Sequence, residues 1–433
     1  MLDKITDSLE KTNNVMRSSY IWNAANACVL AMQSPIIMMV LNRTNGVEES
    51  GIFSIALAVA NLMLFLGQYG LRKYQSSDRN EDFTFAEYHA TRIFTCALMV
   101  VCCLGYCFYG VFAKNYSWEK FTIIFLICIL KLIQAYADVI HGRMQQLGRL
   151  DVAGKAATLR YSAELIVYVA VLFITHNQVA AISICLLVSI IIFMLTSMNA
   201  ARRYCDTLKP SCSWAKFRLL MIEGFPLFVS LFLNMYLSNA PKYAIDTYLT
   251  DDIQAIYNMI FMPTFVIQLI TQFIFNPLLT TYADLWLAKS PEKLKKMMKM
   301  HRTQIAIVAG LTVLALIVSI TIAMPILSWF FGVDLNGYKK ELCVIMLGGG
   351  MLALSVYLNT VIAVIRMQKT LLICYGTAAL AALLLSETFV RNYGIMGAAG
   401  IYTVIMTILA AALFVVVTIR FSREKREVYS QGA

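Results

Sequence analysis

The chain has 433 residues, of which 59% are hydrophobic and 14% charged, with the charges gathered into short stretches between long apolar runs. No room is left for a soluble domain of ordinary size, so function must lie within a membrane. The net charge of +11 would suggest nucleic acid in a soluble protein, but here its placement along the chain makes it a topology signal.

Residues 1–19 carry charged and polar groups where a signal peptide would have its apolar core, which predicts no cleavage after the first span. Leu2, Ile5 and Leu9 predict a short interfacial amphipathic helix. About twelve runs then follow, each near the roughly 20 apolar residues that a spanning helix needs. In order they are Tyr20 to Leu41, Gly51 to Gly70, Thr91 to Ala113, Glu119 to Val139, Thr158 to Thr175 and Val179 to Asn199. The second six are Leu219 to Ala240, Gln254 to Asn276, Thr303 to Phe330, Glu341 to Ile365, Thr370 to Ser386 and Gly397 to Ile419.

With a cytoplasmic N-terminus, and with Arg92, Arg160 and Lys120 at the edges of their spans counted with the adjoining segments, inner segments hold 28 Lys and Arg residues and outer segments 7, with Lys131 inside a span. That asymmetry predicts a multi-pass protein of the cytoplasmic membrane with both termini inside, and the inner charge also attracts anionic lipid headgroups. Of the eleven cysteines, only Cys205 and Cys212 lie outside spans, in a reducing cytoplasm on this topology, so no disulfides are expected. Cys96, Cys102, Cys103 and Cys107 lack the spacing and histidine partners of a zinc site. The four histidines do not cluster and there is no Walker-type loop, so neither a metal nor another cofactor is expected, nor hydrolysis of ATP by this chain. Gly348 to Gly350 reads as close helix packing.

Polar residues in hydrocarbon are costly unless they face a partner or a water-filled cavity, so their angular positions locate such a cavity. The first span carries Asn23, Asn26 and Gln33 before Pro35, and the second Ser54, Asn61 and Gln68 leading to Arg72. On the fourth, Lys131, Gln134, Asp138 and His141 share a face, and on the fifth Glu164 follows Arg160 by one turn. Lys131 and Asp138 lie about 10 Å apart along a helix, so each should find its partner on another helix. The seventh carries Glu223, Ser230, Asn234, Ser238 and Lys242, interrupted by Pro226 and Pro241, and the eighth Gln268, Gln272 and Asn276 after Pro263. Such stripes can simply hydrogen-bond helices together. Their placement on the first two helices of both halves points instead to a shared substrate cavity. Asp138, Glu164 and Glu223 are the protonatable groups that could couple transport to an ion gradient.

The midpoint is the basic segment 200–218, which contains the Pro210 break. It separates an N-lobe, 20–199, from a C-lobe, 219–420, followed by a basic tail, 421–433. A faint echo at an offset of 204 residues pairs Gly51, Phe53 and Ser54 with Ala255, Tyr257 and Asn258. Six spans in each half make the halves parallel repeats. In the segment Thr281 to Arg302, Lys293, Lys296, Met297 and Met300 predict an amphipathic helix against the lipid surface.

Four segments go beyond a general class: GLRKYQSSD from Gly70, RLDVAGKAATLR from Arg149, EGFPLFVS from Glu223 and NAPKYAIDTYL from Asn239. The chain resembles bacterial polysaccharide-biosynthesis membrane proteins. These are the lipid-linked oligosaccharide flippases of the multidrug, oligosaccharidyl-lipid and polysaccharide exporter superfamily. The resemblance implies an all-α integral membrane fold of about twelve helices in two six-helix lobes forming a V-shaped central cavity. It further implies alternating access, a polyprenyl-diphosphate-linked oligosaccharide as cargo, and glycan polymerases as later partners. Nucleic acid is not an expected partner. Arg72 and Lys242, with Lys131 and Arg366 behind them, suit the anionic headgroup through charge-assisted hydrogen bonds. A multidrug or cation-coupled antiporter of the same superfamily is the alternative, and a membrane glycan polymerase or ligase a third reading that the short outer loops oppose.

Overall fold

The computed structural model describes residues 2–78, 81–205, 207–275, 279–287, 290–365, 367 and 369–430. Every regular element among them is helical. By length and composition, ten helical segments among the described residues can cross a membrane. The expected eighth span is divided into two shorter helices, and the last segment holds two spans in one helical run, which accounts for twelve crossings.

The chain divides into two compact units, Met1–Phe232 and Leu233–Ala433. The first contains α1 (Leu2–Glu10), α2 (Val15–Thr44), α3 (Val47–Gln68), α4 (Leu71–Ser77), α5 (Phe85–Lys114), α6 (Trp118–Gln146) and α7 (Leu150–Thr175). It continues with α8 (Gln178–Phe193), which runs through a π turn at Met194–Met198 into α9 (Asn199–Tyr204), and with the first part of α10 (Trp214–Tyr248). The division falls inside α10, beyond the basic segment 200–218, whose two ends are helical.

Helix starts follow local chemistry. Thr84 and Glu87 form a capping box at the head of α5, each satisfying a backbone N–H of the other's segment. Ser117 and Asn177 cap α6 and α8. α3 is the most enclosed span of this unit, packed by α5 and α6. The outward faces are apolar, with Val101, Phe112, Ile166 and Ile174 exposed, as hydrocarbon requires.

Two expectations for this unit change. α1 does not turn its apolar side to lipid: Leu9 is buried and Ile5 packs with it among Ala137, Met144 and Val152. Thr6 accepts a hydrogen bond from Asn199 at 2.7 Å, and Asp7 and Glu10 pair with Arg203 at 2.7 and 3.1 Å. The same periodicity that would float a helix on lipid serves here to dock it on the bundle. Pro226 reads from the sequence as an interruption of the seventh span, yet α10 runs through it, as it does through Pro241 beyond the unit boundary, and α2 runs through Pro35.

The second unit contains the remainder of α10, then α11 (Asp251–Phe261), α12 (Pro263–Phe275), α13 (Leu279–Leu287), α14 (Pro291–Val318), α15 (Met324–Phe331), α16 (Lys339–Val364) and α17 (Lys369–Ser430). Pro263 divides the eighth span because it lacks the N–H that would continue the helical ladder. α17 holds two crossings: Gly394, at φ 57° and ψ −136°, is the non-helical residue between them, in a conformation open chiefly to glycine.

α16 is the enclosed centre of this unit. Its three consecutive glycines face three different neighbours. A Cβ on Gly348 would lie 2.6 Å from the Tyr402 ring of α17, one on Gly349 3.2 Å from Thr264 of α12, and one on Gly350 would overlap Thr312 of α14. The amphipathic segment at Lys293 also differs from expectation. Leu294, Met297, His301, Gln304, Val308 and Thr312 form one buried stripe that runs unbroken into the ninth span, so this segment packs on protein. His301 and Tyr282 both bond the Tyr357 hydroxyl, at 2.6 and 2.8 Å. The residues of the 204-residue echo are buried in both units.

Candidate functional site

Two polar clusters in the first unit contain residues picked out by the stripes. The first begins at a corner of the backbone, where Tyr69 and Gly70 are both left-handed, at φ 48° and 67°. The corner turns α3 into α4 and sets Arg72 against α6. Contact there is close, since a Cβ on Gly142 would overlap the Gln75 amide and lie 3.4 Å from Arg72 Cγ.

Arg72 donates from Nη1 to Asp138 Oδ1 at 3.3 Å and from Nε to Gln145 at 3.2 Å. The other Asp138 oxygen accepts from Arg92 Nη2 at 2.9 Å. Arg92 is fully buried, and its Nη1 donates to the Gly67 carbonyl at 2.6 Å. Thr95 bonds the same carbonyl at 2.8 Å. Asp138 therefore finds partners on other helices, as expected, and both are arginines. Two guanidinium groups face one carboxylate, which leaves one positive charge in excess. Arg72 is the member that reaches solvent, with 32% of its side chain exposed.

The second cluster surrounds Glu164 on α7. Its Oε1 accepts from Ser189 at 2.6 Å and lies 3.5 Å from Arg160, while Oε2 accepts from Gln33 of α2 at 3.4 Å. Gln33 also donates to the Tyr161 carbonyl at 3.3 Å. Lys131 departs from the expectation of a partner on another helix: its ammonium donates to Gln134, one turn along α6, at 3.3 Å. The charges near enough to act on it are Glu164 and Arg160.

Asn26, Asn61 and Gln68 are half-buried, and Asn26 Oδ1 is enclosed without a hydrogen bond among the described residues. Glu223 is exposed and accepts from the Tyr74 hydroxyl. That bond pushes the Tyr74 phenol up to about 12.

In the second unit Lys242 is 6% exposed, and its ammonium lies 4.9 Å above the Phe261 ring. No carboxylate pairs with it among the described residues. A cation over an aromatic face recovers only part of the hydration it has lost. Asn234 is half-buried and its carbonyl accepts from Ser238, and Gln268 is half-buried. The side chain of Gln272, and Asn276 and Arg366 entirely, lie outside the described residues. Among the described residues no group of three His, Cys, Asp or Glu could hold a metal ion.

Arg92 was missing from the sequence-based site. The third span was expected to begin at Thr91, which would leave Arg92 at the interface, but α5 begins at Phe85 and carries Arg92 two turns inside. Thr91, Arg92 and Thr95 within little more than one turn were the available signal.

No protein-family model matches this chain, and no curated protein matches it in sequence. Solved structures do. An inward-facing multidrug-resistance MATE-family transporter of the MOP superfamily superposes with a TM-score of 0.61 at 14% identity, covering 94% of this chain and 96% of the other. The fold is that of the MOP superfamily transporters. An outward-facing transporter of the same kind has a TM-score of 0.52 at 13% identity, with 96% and 100% coverage. A MOP-superfamily transporter from Pyrococcus furiosus, whose reversed binding-pocket polarity suggests a different function, has a TM-score of 0.54 at 13% identity, with 96% and 99% coverage. The MOP fold accounts for the all-α, two-lobed, multi-pass architecture read from the sequence. At these identities the likeness is one of fold.

Proposed function

We propose that this chain is a MOP-superfamily transporter that moves a polyprenyl-diphosphate-linked oligosaccharide between membrane leaflets by alternating access. The observation that carries the reading is the charge imbalance at Asp138: Arg92 and Arg72 together outweigh it, and Arg72 is the exposed member. A desolvated diphosphate needs such charge-assisted donors. Lys242 supplies a second buried cation with no carboxylate beside it among the described residues. Solved MOP-fold relatives in inward-facing and outward-facing forms support alternating access.

Within the first unit Asn26, Gln33, Asn61 and Gln68 offer polar groups for the sugars, with Lys131 as a further cation, and within the second unit Asn234 and Gln268 offer the same chemistry; Gln272, read from the sequence as part of this set, has its side chain outside the described residues. Both termini lie in the cytoplasm, and the glycan polymerases that use the product act after this step. A multidrug antiporter draws less support, because Asp138 and Glu164 are already engaged by arginines and Glu223 by Tyr74. Connections such as Asn45–Gly46 and His176–Asn177 are too short to carry the machinery of a polymerase or ligase.

The test is flipping in proteoliposomes loaded with a defined polyprenyl-diphosphate-linked sugar. Wild-type protein should expose the sugar to an external glycosidase, while Arg72→Ala and Lys242→Ala should do so slowly at equal protein content. Absence of flipping by the wild type, with ready exchange of cationic dyes, would move the chain to the antiporter reading.

A further inference from the structure

An open groove of about 760 Å³ lies where α1, the α1–α2 connection, the start of α2 and α7 meet in the first unit. Lys11, Arg17 and Lys155 line it together with Ile21, Trp22 and Leu159, and none of its lining residues is acidic. Carboxylates on the same helices are committed elsewhere: Asp7 and Glu10 to Arg203, Asp151 to Arg149, and Glu164 to Arg160. The Arg17 side chain makes no hydrogen bond or ion pair among the described residues. Lys155 donates to the carbonyls of Leu9 and Lys11 at 2.8 and 3.0 Å, which ends α1 but neutralises no charge. Three positive charges therefore share one groove with no carboxylate paired to them among the described residues.

The depth of the groove identifies its occupant. α2 has 30 residues, about 45 Å at 1.5 Å per residue, against a hydrocarbon core of about 30 Å. With the polar run 12–14 before it and Arg17 in its first turn, the end that overhangs into the headgroup layer includes these first turns. Trp22, partly exposed at the next level, is a side chain that anchors helices at that boundary. Ile21 and Leu159, 54% and 51% exposed, continue the groove toward the hydrocarbon. Cations at headgroup depth above an apolar wall complement a phosphate carrying acyl chains. We propose that this groove binds one anionic phospholipid, whose phosphate bridges Lys11, Arg17 and Lys155 and so ties docked α1 to α2 and α7.

The proposal is independent of the transported substrate and is tested on the purified full-length protein by native mass spectrometry. Phosphatidylglycerol and phosphatidylcholine with the same acyl chains are compared in the wild type and in Lys11→Gln/Arg17→Gln, neither side chain being used in the fold. Wild-type protein should retain one phosphatidylglycerol in preference to phosphatidylcholine. The double variant should lose about fivefold in that preference for each charge removed, with its lipid-free melting temperature unchanged. Equal retention of the two lipids, or a preference that survives the double variant, overturns the site. Displacement of phosphatidylglycerol by millimolar inorganic phosphate would assign the groove to free anions, and its displacement by stoichiometric polyprenyl diphosphate would assign it to the cargo; either result also overturns the proposal.

Discussion

Arg92 and Asp138 form a salt bridge of 2.9 Å with the arginine side chain wholly buried and the carboxylate 9% exposed. Arg72 completes the group from the exposed side, so one carboxylate organises three helices: α4, α5 and α6. Taking one partner out of a buried ion pair strands the other, at a cost of about 3–5 kcal/mol, whereas replacing both with apolar residues is often neutral. We expect Arg92→Leu and Asp138→Leu each to lower membrane abundance and melting temperature, Asp138→Leu more because it strands two arginines, and Arg92→Leu/Asp138→Leu to recover much of the Asp138→Leu loss, since the remaining Arg72 is partly exposed. Equal stability of both single variants and wild type would mean that the pair contributes little to the fold.

Transport should separate Arg72 from this structural role. Arg72→Ala removes the half-exposed member and leaves the Arg92–Asp138 bridge intact, so abundance should stay near wild type while flipping falls. Parallel loss of abundance and flipping would place Arg72 among the structural residues.

For ion coupling, geometry favours Glu164 over Asp138 as the hypothesis to test. Both oxygens of Asp138 are held by guanidinium groups, whereas Glu164 Oε2 has only a 3.4 Å bond from Gln33. Glu164→Gln should flatten the pH dependence of the transport that remains, at some loss of abundance because Arg160 beside it is also buried, and Asp138→Asn should reduce abundance without that flattening. A pH profile unaltered by Glu164→Gln removes proton exchange at this residue.

The glycine triplet makes a packing prediction. Gly348→Ala and Gly350→Ala should each destabilise the protein by about 1–3 kcal/mol, the usual range for overpacking. Thr312→Ala should partly rescue Gly350→Ala, because the Thr312 side chain is what the new Cβ meets, and should not rescue Gly348→Ala. Thermal melting of the four variants decides; wild-type stability in both glycine variants would mean that the three helices can separate freely.

The positive-inside distribution predicts which side reacts with impermeant thiol reagents. Cys205 is buried and Cys212 partly exposed, so Cys212 is the native reporter and should label only when the cytoplasmic face is open. A cysteine introduced at Asn177, which is exposed, should label from outside. The opposite pattern reverses the orientation.

Span number and order were legible because a bilayer imposes a length and an apolar composition on every crossing, and both are local properties of the chain. Span ends were less so: Arg92 and Arg160 were counted with the inner segments, yet they are 0% and 3% exposed inside the bundle. The polar stripes marked Gln33, Arg72, Asp138 and Glu164, but not that Gln33 would meet Glu164 or that Arg72 would share Asp138 with Arg92.

By itself the sequence determined a multi-pass, all-helical membrane chain and the residues that hydrocarbon would not tolerate unpaired. Only the tertiary structure decided their partners: Arg92 with Asp138 across 46 positions, Gln33 with Glu164 across 131. It also decided that α1 and the Leu294–Thr312 stripe face protein rather than lipid. The physical reason is that periodicity shows which face of a helix is apolar or polar, while protein and lipid satisfy an apolar face alike. The choice between them is made by which helices the completed fold brings alongside.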